Sequence, residues 1–158
     1  MSDTTRKRSA IRPIVVLAMI SFLVCGLAFP LVVTGIAQVA FPYQANGSLV
    51  QVGCRTVGSY YIDNGFSLPI FFHARNQSTT ASGVDPDIPL ADALGQVPGI
   101  SNATGISTQA LTMIVDQHVE NTLWMFGDSY VNVLAVNVAL INQYGNTSVY
   151  APYYACPR

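Results

Sequence analysis

The sequence predicts a small α+β domain carried behind one membrane-crossing N-terminal helix, and three observations predict it. Ile14 to Val33 is a run of twenty residues in which Ser21 is the only polar side chain. From Pro13 to Cys54 there are 42 residues without one Asp, Glu, Lys, Arg or His. Beyond them, stretches of helical spacing alternate with short branched or aromatic patches and turn signals, with no regular repeat. Charge divides the 158 residues in the same way. Four of the seven basic residues (Arg6, Lys7, Arg8, Arg12) precede the apolar run, while from Arg55 onward three basic residues face seven acidic ones. The organisation read from this is a basic cytoplasmic tail over 1–12, a transmembrane helix over 13–34 and an extracytoplasmic α+β domain over 35–158. The charged fraction of 9%, against roughly one quarter in ordinary globular chains, and the apolar fraction of 51% exclude a disordered tail and a nucleic-acid binder.

A twenty-residue helix is about 30 Å long, the thickness of a bilayer's hydrocarbon core. The rival reading is a cleaved secretory signal, whose apolar core is about 7–15 residues and ends at a small-x-small site. Here apolar character continues past Pro30 into Thr34-Gly35-Ile36-Ala37, which argues for an uncut anchor. The basic residues before the span hold the N-terminus in the cytoplasm by the positive-inside rule and place the domain outside. Pro13 fits a first helical turn, and Pro30 is expected to bend the end of the span. Ala18, Ser21, Cys25 and Ala28 recur at steps of three, four and three, a small-residue stripe of the kind that lets another membrane helix approach closely. Small residues are also common in any membrane helix, so the stripe has a second, bland reading.

After the span, Ile36 to Phe41 continues the helix up to Pro42, and Asn46-Gly47 marks a turn. Leu49–Val52 reads as a short strand. Ser59–Ile62 and Pro69–Phe72 are two further apolar patches, with Asn64-Gly65 as a hairpin turn between them. Gln77 to Gly83 is a polar linker. Leu90–Val97 and Ser107–Phe126 have helical spacing; Ser107 serves as N-cap of the second, with Leu111, Ile114, Val115, Val119 and Leu123 on one side. Val131–Asn137 is rich in branched residues and reads as a strand at the core.

Catalytic patterns are scarce. A nucleophile needs a base, and the only histidines are His73 and His118. Gly127-Asp128-Ser129-Tyr130 is similar to the Gly-Asp-Ser block of a serine esterase family, but both histidines precede Ser129 instead of following it. Neither a zinc-ligand spacing nor a phosphate-binding glycine loop occurs. Asp85 and Asp87 flank Pro86, and capping of the helix at Leu90 accounts for them better than acid/base work. Four sequons, at Asn46, Asn76, Asn102 and Asn146, are attributed to the abundance of Asn, Ser and Thr. Outside the membrane, Cys54 and Cys156 are the thiols left once Cys25 is assigned to the span, and a disulfide between them would close a loop of about 100 residues worth on the order of 4 to 5 kcal/mol. Two unpaired thiols are the alternative.

Several blocks, in order, resemble one family. They are Thr34-Gly35-Ile36-Ala37-Gln38 with Phe41-Pro42 and Ala45-Asn46-Gly47-Ser48-Leu49, then Val57-Gly58-Ser59, then Phe71-Phe72-His73-Ala74-Arg75, then Ala81-Ser82-Gly83-Val84-Asp85-Pro86-Asp87-Ile88 with Gln96-Val97, and Val131-Asn132-Val133-Leu134 with Asn137. Together they resemble the KdpC subunit of the potassium-transporting P-type ATPase. The resemblance implies a non-catalytic accessory subunit with one span and an outer domain. It implies assembly with a channel-like potassium-translocating subunit and a P-type ATPase subunit, whose affinity for ATP it raises. ATP is then reached only through that partner, with no intrinsic cofactor or metal, and membrane lipid is the other neighbour. Partner-contact candidates are the stripe (Ala18, Ser21, Cys25, Ala28) and the block residues Thr34, Gly35, Gln38, Asn46, Gly47, Ser48, Phe72, His73, Arg75, Ser82, Gly83, Asp85 and Pro86.

Four departures from the family pattern stand out. Asp63-Asn64 and Arg75-Asn76-Gln77 replace its usual residues, and a stretch between the Arg75 and Ser82 blocks is missing. Pro98-Gly99-Ile100-Ser101-Asn102 stands where basic residues are expected, and the tail from Tyr144 is additional. A pilin-like structural subunit and a tethered extracellular hydrolase are the competing readings; the first would carry a Glu near the start of the apolar run, and none occurs from Pro13 to Cys54.

Overall fold

A computed structural model of the chain describes residues 3–75, 85–123 and 126–154. The chain divides into two compact units, Met1–Asn46 and Gly47–Arg158.

The described residues of the first unit are helical except at Phe41 and Asn46: α1 (Asp3–Leu23), one π turn (Val24–Ala28), α2 (Phe29–Ala40) and the short α3 (Pro42–Ala45). Helix α1 begins at Asp3, so Pro13 lies inside it and not in a first turn, which corrects that expectation. The π turn precedes Pro30, and the Phe29 N–H donates five residues back to the Val24 carbonyl. The physical reason is that Pro30 has no N–H to bond the Gly26 carbonyl and its ring crowds that group, so the winding loosens one turn earlier. Pro42 ends the rod as expected. Ile11–Ala40 is long and apolar enough to cross a membrane, and none of its most apolar stretch is buried by protein. Side chains as large as Phe22 and Phe29 stand exposed along it. A helix apolar on every side and covered by none of its own chain requires an apolar solvent.

In the second unit, β1 (Leu49–Val52) and β2 (Arg55–Ser59) form an antiparallel hairpin with Leu49 opposite Ser59 and Val52 opposite Arg55. Its turn is at Gly53-Cys54, where Gly53 has φ +60°. The hairpin expected around Asn64-Gly65 does not form, because Asn64 turns back on β2. Its Oδ1 accepts from the Ser59 N–H (3.0 Å) and its Nδ2 donates to the Ser59 carbonyl (3.1 Å). A Cβ at Gly58 would overlap the Asn64 amide.

Strands β3 (Asp87–Pro89), β4 (Val119–Leu123) and β5 (Phe126–Asn132) make a three-stranded antiparallel sheet in the order β3-β5-β4. Helix α4 (Leu90–Thr104) runs through Pro98, seven residues beyond the predicted end. Pro98 has no N–H to donate to the Leu94 carbonyl, and both residues lie on the exposed side of the helix, where a missing internal bond costs least. Gly105, in the left-handed region at φ +76°, ends the helix.

Helix α5 (Thr108–Gln117) has the predicted Ser107 cap, with the Ala110 N–H donating to Ser107 Oγ, and it buries Leu111, Ile114 and Val115. It stops at Gln117; Val119–Leu123, predicted as its continuation, is strand β4, paired with β5. The strand predicted over Val131–Asn137 is likewise displaced. Strand β5 ends at Asn132, whose Oδ1 accepts from the Ala135 N–H and opens α6 (Val133–Tyr144). A run apolar on all sides suits a buried helix as well as a strand, and the Asn cap decides between them. The expected core position holds, since Val133, Leu134, Val136, Leu140 and Ile141 are buried. A short α7 (Ala151–Tyr154) closes the described chain. The core joins Val52, Phe71, Phe72 and Ile88 to the inner faces of α4, α5 and α6.

Candidate functional site

The segment Ile70–Arg75 is neither helix nor strand, yet side chains from α4, α6 and the turn before α7 hold its backbone at Ile70, Phe72 and His73. The Ile70 carbonyl accepts from the Tyr150 hydroxyl (2.7 Å). The Phe72 N–H donates to Asn137 Oδ1 (2.8 Å), and Asn137 Nδ2 donates to the Phe72 carbonyl (2.9 Å). Next, the His73 N–H donates to Gln96 Oε1 (2.8 Å) while Gln96 Nε2 donates to the His73 carbonyl (3.0 Å). Each side-chain amide thus stands in for the peptide of an absent neighbouring strand. Asn137 is fully buried, so its two bonds satisfy groups that water cannot reach. The arrangement leaves His73 half-buried and Arg75 exposed. Arg75 lines an open cleft of about 430 Å³ with Asp85, Asp87, Asp128, Ser129 and Tyr130.

A second polar hub lies at the end of β5. Asn132, 2% exposed, donates through Nδ2 to Asp87 Oδ1 (2.9 Å) and to the Tyr60 carbonyl (3.0 Å). Asp85 Oδ1 accepts from the Asp87 N–H (3.1 Å), and the Pro86 carbonyl accepts from the Val133 N–H (3.0 Å). The predicted capping of α4 by these aspartates is therefore corrected. Its N-cap is Pro89, with no side-chain bond, and Asp85 instead turns the chain into β3. Burial pushes the Asp87 carboxyl above the usual carboxylate range; the Asn132 bond opposes this, and the charges of Asp85 and Glu120 add to it. Glu120 accepts both the Tyr60 hydroxyl (2.7 Å, Oε1) and the Tyr130 hydroxyl (3.0 Å, Oε2). Tyr60 is raised mainly by burial and then by Glu120, and Tyr130 first by its bond to Glu120.

In the helical unit Ala18, Ser21, Cys25, Ala28, Thr34 and Gly35 are all exposed. Gln38 and Asn46 face each other amide to amide at 3.4 and 3.5 Å, and Asn46 Nδ2 also donates to the Pro42 carbonyl (2.6 Å). Gly47 and Ser48 open the second unit with positive φ, +85° and +49°. Phe72, Ser48 and Pro86 are buried within the domain, so they shape it and do not offer a contact surface. Ser82 and Gly83, with the predicted linker, lie outside the described residues. Cys54 is disulfide-bonded and Cys25 is free; Cys156 lies outside the described residues.

Among the described residues no three His, Cys, Asp or Glu side chains gather closely enough to hold a metal ion. The Ser129 hydroxyl donates to Asn121 Oδ1 (2.8 Å) across the β4–β5 pair, and His118 Nδ1 lies 2.8 Å from the Ile114 carbonyl in its own helix. The roles of Asn137, Gln96, Asn132, Tyr150 and Glu120 escape sequence reasoning. Three of them stand in the family-like blocks, but nothing local names the backbone group each would reach.

A family model described as the K+-transporting ATPase c chain, KdpC, matches residues 11–82 and 77–142. Curated relatives named potassium-transporting ATPase KdpC subunit occur in Caulobacter vibrioides (strain NA1000 / CB15N; 32% identical, covering 86% of this chain and 94% of the relative). Others come from Rhodopseudomonas palustris (strain TIE-1; 31%, 82% and 95%) and Gloeobacter violaceus (33%, 73% and 87%). The Caulobacter alignment extends over 186 positions, more than the 158 residues of this chain, so that relative contains residues with no counterpart here. The family model matches in two segments that meet at 77–82, between the Arg75 and Asp85 blocks, and the match ends at 142.

Proposed function

The chain belongs to the KdpC family, a subunit of the K+-transporting ATPase complex, and from that premise we propose that it acts as a non-catalytic, single-span accessory subunit. Its helix is the membrane anchor, with the N-terminus in the cytoplasm and the α+β domain outside, since Arg6, Lys7, Arg8 and Arg12 precede the apolar run and only Arg55 follows soon after it. It assembles with the channel-like potassium-translocating subunit and the P-type ATPase subunit, and it raises the affinity of the latter for ATP. One observation carries the non-catalytic reading. Three polar side chains of the family blocks, Gln96, Asn132 and Asn137, bond backbone groups of the domain itself, which supports their reading as struts of a scaffold.

The test is growth at limiting potassium. Loss of the gene abolishes it, and purified complex lacking this subunit requires more ATP for half-maximal turnover. His73→Ala, His118→Ala, Asp85→Ala and Ser129→Ala each retain much of the uptake. A single one of these that stops ATP turnover in a fully assembled complex would overturn the scaffold role.

A further inference from the structure

Three of the exposed large apolar side chains of the second unit gather at one end of the β1–β2 hairpin. Leu49 is 48% exposed, Ile62 48% and Tyr61 67%. Short backbone links hold them together. Leu49 lies opposite Ser59, the Tyr60 N–H donates to the Ser48 carbonyl (3.1 Å), and the Ile62 N–H donates to the Ser59 carbonyl (3.4 Å). The Ser59 hydroxyl donates to the Gly47 carbonyl (2.7 Å), and the Tyr61 ring stands edge to face on Tyr60 at 5.4 Å. This is the end at which the chain enters the domain.

We infer that this edge, made by Leu49, Tyr61 and Ile62, is a second membrane contact that rests in the outer headgroup layer of the bilayer crossed by the helix. The inference rests on the anchor reading given above. Chain length carries it. The apolar helix Ile11–Ala40 has 30 residues, and at 1.5 Å per residue it is about 45 Å long, the thickness of a bilayer with its headgroups. The helix therefore reaches the outer headgroups at about Ala40. Leu49 comes only nine residues later, and Pro42–Ala45 are wound into a helical turn that shortens the tether. A tyrosine with a wet hydroxyl and an apolar ring, flanked by two aliphatic side chains, suits that layer. Asp63 follows directly, so apolar burial and not attraction to anionic lipid makes the contact.

The experiment places one tryptophan, as Tyr61→Trp or Met113→Trp, in full-length protein whose single native tryptophan is removed by Trp124→Phe. Met113 is an equally exposed apolar residue, on α5. Each protein is reconstituted in phosphatidylcholine vesicles with or without bromine on the acyl chains near the headgroup. Bromination should lower the emission of Tyr61→Trp about twofold and leave Met113→Trp unchanged, and Leu49→Asp with Ile62→Asp should abolish the loss. Unquenched emission at long wavelength would mean water at this edge and overturn the contact. Unquenched but blue-shifted emission would mean cover by a second copy and overturn it too, as would equal quenching at both positions. Release of the protein from the vesicles by alkaline carbonate would overturn the anchor reading itself, whereas an unquenched Tyr61→Trp in carbonate-resistant protein removes only this contact.

Discussion

Replacing Asn137 by Leu is the sharpest probe of how this domain is built. The side chains are nearly equal in size, so the change removes polarity and leaves the volume almost intact. It strips the Phe72 N–H and C=O of their partners at 2.8 and 2.9 Å, beside a ring that is 1% exposed. A buried polar group left unsatisfied costs about 1–3 kcal/mol, and two of them cost about 2–6 kcal/mol. Whole domains are stable by about 5–15 kcal/mol, and each kcal/mol moves Tm by about 4–8 °C in a domain of this size. Thermal unfolding of the full-length protein in detergent, followed by near-ultraviolet circular dichroism, should therefore show Tm lowered by about 10 °C or more. Asn137→Asp adds a second reading. Its protonated carboxyl reproduces one donor and one acceptor, whereas its carboxylate turns a buried charge and an acceptor toward the Phe72 carbonyl. In the fold this carboxyl's pKa is raised, so its stabilisation is present at low pH and lost as pH rises. A Leu variant within about 2 °C of the parent would refute the amide clamp as a support of the fold.

Titration of free thiols in unfolded, unreduced protein should find one, Cys25, against three after reduction; three before reduction would exclude the Cys54–Cys156 bridge. Ser21→Phe or Ala28→Phe should weaken co-purification of the complex while Leu23→Phe and Leu27→Phe do not, because close backbone approach is what holds helices together in lipid; equal tolerance at all four would make the stripe incidental. Burial raises the pKa of Asp87, so the folded state holds that proton more tightly than the unfolded chain. Its contribution is full below the ordinary carboxylate range and fades as pH rises through the raised value. Tm measured from about pH 3 to about pH 7 should depend less on pH in Asp87→Asn than in the parent, and coincident profiles would contradict that sign.

The sequence by itself determined whatever rests on local signals or on solvent. The apolar run from Ile14 to Val33 is helical and membrane-compatible because no face of it is polar and its backbone bonds are internal. Leu49–Val52 is a strand between two turns, and Ser107 opens α5, because turn and cap chemistry act over three or four residues. Only the tertiary structure decided the rest. Val119–Leu123 continues a helical spacing on paper, yet Val119 and Glu120 pair with Val131 and Tyr130, whose ladder no local window can see. The branched run after Asn132 fits strand or buried helix by pattern, and it becomes α6 where β5, paired with β3 and β4, ends at the Asn132 cap. The clamp of Asn137 on Phe72 joins residues 65 apart in sequence, and Tyr150 reaches Ile70 across 80. A side-chain amide carries no mark of the backbone it will satisfy, and chain closure over such distances is settled only when the whole core packs.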